Sequence, residues 1–108
     1  DLASIGGSAA DDIRAVGRDG AVVVYGVSGW NPEDIGTTAN LTGVWSSSAS
    51  DVFVTGVYLN GNVFHYDGAE WSPVFTPQEL LNGVWGTSPT DVFVVGSGGL
   101  IVHYGQND

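Results

Sequence analysis

The chain contains no cysteine, no methionine and no lysine, and its only permanently basic side chains are Arg14 and Arg18. Without cysteine it can form no disulfide, thiolate zinc site or cysteine nucleophile. Twelve acidic residues give it a net charge of −10, which disfavours nucleic acid and anionic membrane surfaces as partners. Long hydrophobic runs are also missing from the sequence, so no stretch of it is long enough to cross a bilayer.

The residues that are present favour a small all-β domain. Of the 108 residues, 43% are hydrophobic and 11% aromatic, which is sufficient for one core. The 17 glycines lie scattered between short apolar runs, a pattern typical of many strands joined by tight turns. We interpret the acidity as a means of staying soluble in a saline or extracellular setting, and the alternative is an acidic cation site. Because the chain opens at Asp1, we expect a mature, trimmed or excerpted protein, which leaves secretion open. Given the acidic composition, we predict an extracellular or cell-surface location.

An internal repeat decides the architecture. Residues 43–45, Gly-Val-Trp, return at 83–85, and residues 51–54, Asp-Val-Phe-Val, return at 91–94, both displaced by 40 positions. A fixed period of this size indicates units that bury their apolar faces against one another.

Three units follow from aligning the repeat: residues 1–40, which are diverged, residues 41–80, and residues 81–108, which lack an outer strand. Each complete unit reads as four short antiparallel strands, and no segment has helical periodicity. Runs such as 52–54 are apolar on both faces, as expected for a sheet between two neighbours. The predicted fold class is therefore all-β, with four-stranded sheets stacked as β-propeller blades.

The residues also resemble a known group of repeats. The pattern of residues 81–96, together with His65-Tyr66-Asp67-Gly68 and Trp71, is similar to the blades of bacterial secreted β-propeller proteins, relatives of kelch-like, Asp-box-like and propeller-lectin repeats. The first unit departs from the pattern, with Gly6 in place of tryptophan and Val24 in place of histidine. The resemblance implies the propeller fold, and for function it implies lectins, hydrolases and scaffolds alike.

The number of blades predicted for this chain is too small to close a propeller ring. Propellers have about 4–8 blades, and this chain supplies slightly under three. Either the sequence is an excerpt of a longer propeller, or copies of it associate. We predict a second copy as the partner, giving a dimer of about six blades, because an open monomer exposes apolar faces and unpaired strand edges.

The candidate binding residues are aromatic and acidic. Trp30 and Trp71 occupy equivalent positions in their units, and Tyr66, Asp67 and Glu70 lie near the second of them. Tryptophan and tyrosine offer apolar planes to sugar rings, so we predict a carbohydrate pocket, one weak site per blade. The alternative interpretation is that these side chains fill the space between blades.

The other polar residues that recur with the period are interpreted as structural. His65 and His103 are equivalents that point the same way around a ring, so they are not expected to converge on a metal ion. Asp12, Asp51 and Asp91 each begin a strand after a turn of small residues, where a carboxylate bonds nearby backbone amides.

No catalytic chemistry is predicted. The serines lie in turns with no expected histidine–acid arrangement beside them, so no triad is proposed. The glycine-rich residues 96–99 precede a strand rather than the helix that a dinucleotide site needs. We therefore predict no cofactor, no metal and no enzyme activity, and a binding module for carbohydrate or protein. The alternatives are a structural segment of a larger extracellular protein and a fragment of a propeller hydrolase.

Overall fold

The computed structural model describes residues 2–9, 12–26, 29–48, 50–58, 60–75, 80–88 and 91–105. In these ranges the chain forms β1 (Leu2–Ala9), β2 (Asp12–Gly17), β3 (Val22–Gly26), β4 (Gly29–Glu33), β5 (Asn40–Ser48), β6 (Asp51–Tyr58), β7 (Asn60–Tyr66), β8 (Trp71–Phe75), β9 (Leu81–Ser88), β10 (Asp91–Gly96) and β11 (Ile101–Gly105). The helical segments described are two short 3-10 turns, Arg18–Gly20 and Ser97–Gly99. No helix within these ranges is long and apolar enough to cross a membrane.

The strands form three antiparallel sheets in simple sequence order. The first sheet contains β1 to β4, the second contains β5 to β8, and the third contains β9 to β11. This confirms the predicted all-β class of repeated four-stranded units with an incomplete last unit. The unit limits at residues 40 and 80 stay predictions. The outer strands β4 and β8 carry Pro32 and Pro73 at the edge of their sheets, where a missing backbone donor costs little.

Residues that are equivalent in the repeat have equivalent cross-strand partners in the three sheets. The alignment that gave the repeat is thereby reproduced in the backbone pairing, including the diverged first unit. The central residue of each second strand and its two cross-strand partners show this: Arg14 pairs with Gly6 and Val24, Phe53 with Trp45 and His65, and Phe93 with Trp85 and His103.

Tight turns join the second and third strands of the first and third sheets. Asp19 and Gly20 have φ angles of 59° and 74°, the successive positive values of a type I′ hairpin turn. Gly98 and Gly99 adopt similar angles at the equivalent turn of the third sheet. The Asp-Gly and Gly-Gly pairs therefore supply the backbone conformation that a right-twisted hairpin requires.

The sheets pack face to face, with β5 lying between β1 and β9. We call the face of a sheet that points towards the preceding sheet its upstream face, and the opposite one its downstream face. Two apolar clusters form the core. Between the first and second sheets lie Val16, Val22, Ile35, Ala39, Leu41, Val44, Val52 and Val54. Between the second and third sheets lie Phe53, Val63, Leu81, Val92 and Val94. The second sheet is thus apolar on both faces because it has a neighbour on each.

Candidate functional site

A polar cluster joins the first and second sheets. The Nε of Arg14 donates to Oε1 of Glu33 at 3.1 Å, and the indole Nε1 of Trp71 donates to Oε2 of the same carboxylate at 2.9 Å. The Arg14 guanidinium also lies over the Tyr66 ring, 5.4 Å from its centroid. Arg14 is only 7% exposed. A buried charge is stable only when paired and hydrogen bonded, and this cluster meets both conditions across the sheet junction.

The cluster exists because the first unit departs from the repeat. Arg14 stands where the other sheets have Phe53 and Phe93, and its neighbour Gly6 stands where they have tryptophan. A Cβ on Gly6 would lie 2.7 Å from the backbone oxygen of Val44, so the strands approach too closely there for a side chain. Arginine instead reaches the Glu33 carboxylate of β4 and the Tyr66 ring of β7.

An open groove of about 430 Å³ lies beside this cluster. Its lining includes Glu33, Asp34, Tyr66, Glu70 and Trp71. The Asp34 carboxylate accepts the backbone N–H of Gly36 at 2.9 Å, which fixes the start of the linker between the sheets. Three carboxylates therefore line the groove together with the aromatic pair Tyr66 and Trp71, whose ring centroids are 5.2 Å apart. Glu33 is already bonded to Arg14 and Trp71, which leaves Asp34 and Glu70 to face a ligand.

Three of the predicted binding residues meet in this groove. Tyr66, Glu70 and Trp71 all line it, and Trp71 is half-buried with its indole nitrogen already bonded to Glu33. The Tyr66 hydroxyl donates to the Gly68 carbonyl at 3.1 Å, closing the turn before β8. Tyr66 and Trp71 therefore fit both interpretations of the sequence. They fill space between two sheets, and they also line a groove that is open to a ligand.

Asp67 belongs to the turn before β8. Its carboxylate accepts the backbone N–H groups of Ala69 and Glu70, both at 2.9 Å. These bonds, first that from Glu70 and then that from Ala69, lower the pKa of Asp67 below its ordinary value of 3.8. The residue shapes the loop that carries Glu70.

Trp30 lies apart from the groove, on the upstream face of the first sheet. It is 48% exposed and packs on Tyr25, with ring centroids 5.2 Å apart. Together with Leu2, Ile5 and Val23 it borders a hollow of about 420 Å³ that is almost entirely apolar. The equivalent Trp71 is covered by the first sheet, whereas no described sheet precedes Trp30.

A second kind of polar network recurs in the second and third sheets. In the second sheet, Ser47 donates its hydroxyl to Asp51, whose other oxygen lies 2.5 Å from Nε2 of His65. In the third sheet, Thr87 bonds Asp91, whose other oxygen lies 2.6 Å from Nε2 of His103. The prediction that no histidine–acid arrangement lies near a serine is therefore wrong.

The order of the groups in these networks fits a structural role. A nucleophilic serine needs histidine as its immediate base, with the carboxylate behind the histidine. Here Asp51 is in the middle and accepts from both neighbours, so the histidine is not placed to take the proton of Ser47. The histidine ring instead packs against phenylalanine, tilted on Phe53 for His65 and stacked on Phe93 for His103, with ring centroids 4.5 Å and 4.4 Å apart. The network links the first three strands of a sheet through side-chain hydrogen bonds.

The third sheet shows the electrostatic effect of this network. The Thr87 hydroxyl, followed by His103, lowers the pKa of Asp91 below its ordinary value of 3.8, because both favour the ionised carboxylate. A signal for the network was present in the sequence: a hydroxyl residue precedes the strand aspartate by four positions in both units. Among the described residues, no three histidine, aspartate or glutamate side chains cluster closely enough to hold a metal ion.

Four-stranded antiparallel sheets stacked face to face define the class of β-propeller proteins. No protein-family model matches the chain, and no curated protein matches its sequence. A solved structure, YCF48 bound to D1 peptide, is similar to 94% of the chain with a TM-score of 0.77 and 14% sequence identity. The chain spans 36% of that structure's length. The likeness confirms the propeller fold, while the narrower resemblance to bacterial secreted repeats stays a prediction.

Proposed function

We propose that the chain is part of a non-enzymatic β-propeller that binds an extended, basic protein segment in the groove beside Trp71. The observation that carries the proposal is the groove itself, in which Asp34 and Glu70 border the aromatic pair Tyr66 and Trp71. A lysine or arginine side chain can lie over an aromatic ring such as that of Trp71 while its charge faces the carboxylates.

One further fact supports a basic partner, and another supports a peptide as the partner. The chain has a net charge of −10, so it attracts cationic segments over its whole surface and speeds their association at low salt. The similar propeller structure is that of YCF48 bound to a peptide, which shows that this fold can hold a peptide. The absence of enzyme activity is part of the proposal, and it is supported by the aspartate-centred order of the Ser47, Asp51 and His65 network.

The test measures binding of fluorescent decapeptides by anisotropy. Three peptides of equal length carry lysine, serine or glutamate at alternate positions, and we expect binding of the lysine peptide alone, weakened by added salt. Glu70→Gln should lower the affinity at least about threefold, since it removes one carboxylate from the groove without changing its shape. Asp19→Asn is the matched control, because it removes the same charge at an exposed turn outside this groove. Equal losses in the two variants would reduce the effect to net charge and contradict the groove.

Carbohydrate is the second candidate ligand, favoured by the aromatic pair that lines the groove together with carboxylates. The predicted residues Tyr66, Glu70 and Trp71 are in place for it, with Asp67 shaping the loop and Trp30 elsewhere. A glycan array probed with the same protein distinguishes the two ligands. Glycan binding that Glu70→Gln weakens, without peptide binding, would replace the first proposal with the second. Binding of neither would favour a structural segment of a larger extracellular protein.

The open stack of three sheets leaves apolar side chains exposed at both of its ends, which a closed ring would cover. We propose that further blades complete it and that a second copy of the chain supplies them, as the sequence predicts. An extracellular or cell-surface location stays a prediction, supported by the acidic composition alone.

A further inference from the structure

The two ends of the stack expose large apolar side chains. On the downstream face of the third sheet, Trp85, Val95 and Ile101 are 62%, 43% and 69% exposed. On the upstream face of the first sheet, Leu2 and Ile5 are 59% and 62% exposed. Among the described residues these are the faces without a neighbouring sheet, and large apolar patches of this kind mark interaction sites.

The equivalent residues of the second sheet show how far these side chains are buried when another sheet packs on them. Leu41 and Val44, which stand in the register positions of Leu2 and Ile5, are 1% and 7% exposed against the first sheet. Val63, the equivalent of Ile101, is 4% exposed against the third sheet. The end faces are therefore the two halves of one more sheet junction of the kind that the chain already makes twice.

A tryptophan and a glycine identify which faces fit. At the junction of the second and third sheets, the Trp45 indole lies over Gly86, where a Cβ would come within 2.9 Å of the ring atom Cη2. At the junction of the first and second sheets, Gly6 replaces the tryptophan, and Ser46 stands in the position of Gly86. Tryptophan is thus opposed by glycine, and where tryptophan is missing a larger residue is present.

The exposed faces satisfy the same rule. Trp85 is the equivalent of Trp45, and the strand register places Gly7 in the position of Gly86 on the upstream face of the first sheet. Both are exposed. The chain's own first sheet therefore offers the glycine that the indole of its third sheet needs, which the second sheet, with Ser46, does not.

We infer that a second copy of this chain docks head to tail, with Trp85 of each copy lying over Gly7 of the other. Two such contacts, related by a twofold axis, close a ring of six sheets, and six lies within the range of known propellers. The contact buries Ile101 and Val95 against Leu2 and Ile5. This inference rests on the proposed ring closure and is independent of the ligand, because assembly is measured without one.

The first measurement is the mass of the purified chain by light scattering after size-exclusion chromatography. We expect about twice the chain mass of 11.2 kDa. A well-folded monomer at about 100 µM would overturn the inference, since a contact weaker than this is not a stable assembly. Mass that grows continuously with concentration would overturn the closed pair in favour of open head-to-tail chains.

Two variants block opposite faces. Gly7→Leu fills the space that Trp85 needs, and Trp85→Asp places a charge in the apolar junction, so each should raise the dimer dissociation constant at least about tenfold. Both positions are exposed in the single chain, so circular dichroism should show unchanged folding. Ser72→Leu and Val74→Asp introduce the same two residues at exposed positions of β8, away from both end faces, and should leave the dimer intact.

Mixing the two blocked variants distinguishes head-to-tail docking from pairing of like faces. Gly7→Leu retains a good downstream face and Trp85→Asp a good upstream face, so the mixture regains one intact junction and part of the dimer. If like faces paired, one variant alone would stay dimeric and the mixture would regain nothing beyond it. Either of those results would overturn the head-to-tail contact.

Discussion

The indole of Trp45 fits over Gly86 so closely that a single added methyl group on Gly86 would lie 2.9 Å from the ring. The same methyl group would also lie 2.9 Å from the backbone oxygen of Asp91. Neither contact can relax cheaply, because the ring is held between two sheets and the oxygen belongs to a strand.

Gly86→Ala is therefore expected to lower the free energy of unfolding by about 1–3 kcal/mol, the usual effect of overpacking a junction. Gly83→Ala is the control on the same strand, since the nearest atom to its added Cβ is 3.8 Å away. The control should change stability by no more than about 1 kcal/mol. Urea unfolding followed by tryptophan fluorescence measures both, and equal losses would contradict the close fit.

Arg14→Met should destabilise the chain by about 2–3 kcal/mol, because it leaves the partly buried Glu33 carboxylate without its cation. Arg18→Met removes the same charge from an exposed turn and should cost clearly less than Arg14→Met. Chemical denaturation of the two variants gives the comparison. A similar effect of both would mean that the chain responds to net charge rather than to the Arg14 and Glu33 pair.

Acidification should destabilise the third sheet through Asp91. Its pKa in the folded chain is below the ordinary 3.8, owing first to Thr87 and then to His103, so the stabilisation is present above pH 3.8. It is lost as the pH falls through the folded-state pKa. Thermal melting between about pH 6 and 3 should therefore show a shallower acid dependence in Thr87→Val than in the wild type. Thr38→Val, at an exposed site in the linker, is the control; a wild-type slope in Thr87→Val would contradict the assignment.

The Ser47, Asp51 and His65 network should behave as a structural fastening. His65→Val, which copies the residue of the first sheet, should lower stability by about 1–2 kcal/mol because Asp51 loses a partner. A fluorophosphonate probe should leave Ser47 unlabelled, since the serine hydroxyl faces the carboxylate and not the histidine. Mass spectrometry of the probed protein measures this, and labelling that His65→Val abolishes would restore the hydrolase interpretation.

Much of the fold was predictable because the repeat carries it in residue types. Asp51 and Asp91, with the apolar runs that follow them, mark each second strand, and Asp19 with Gly20 marks a hairpin turn. The candidate site was less predictable, since the cluster of Arg14, Glu33 and Trp71 joins two units at positions where they differ. Its partners are 19 and 38 residues apart, and no local pattern relates them. Aligning the repeat identifies residues that the units have in common, whereas this cluster depends on Arg14, at which the first unit differs from the others.

Each sheet of this chain is made from one unbroken stretch of residues, 2–33, 40–75 and 81–105. In a ring closed by Trp85 over Gly7, every pair of neighbouring sheets packs through the same kind of junction, whether or not the chain links the two sheets covalently. A circular permutant that begins at β5, runs through β11 and continues into β1 to β4 would then build the same ring. In such a ring the packing fixes only the cyclic order of the sheets, and it does not depend on which sheet comes first in the chain.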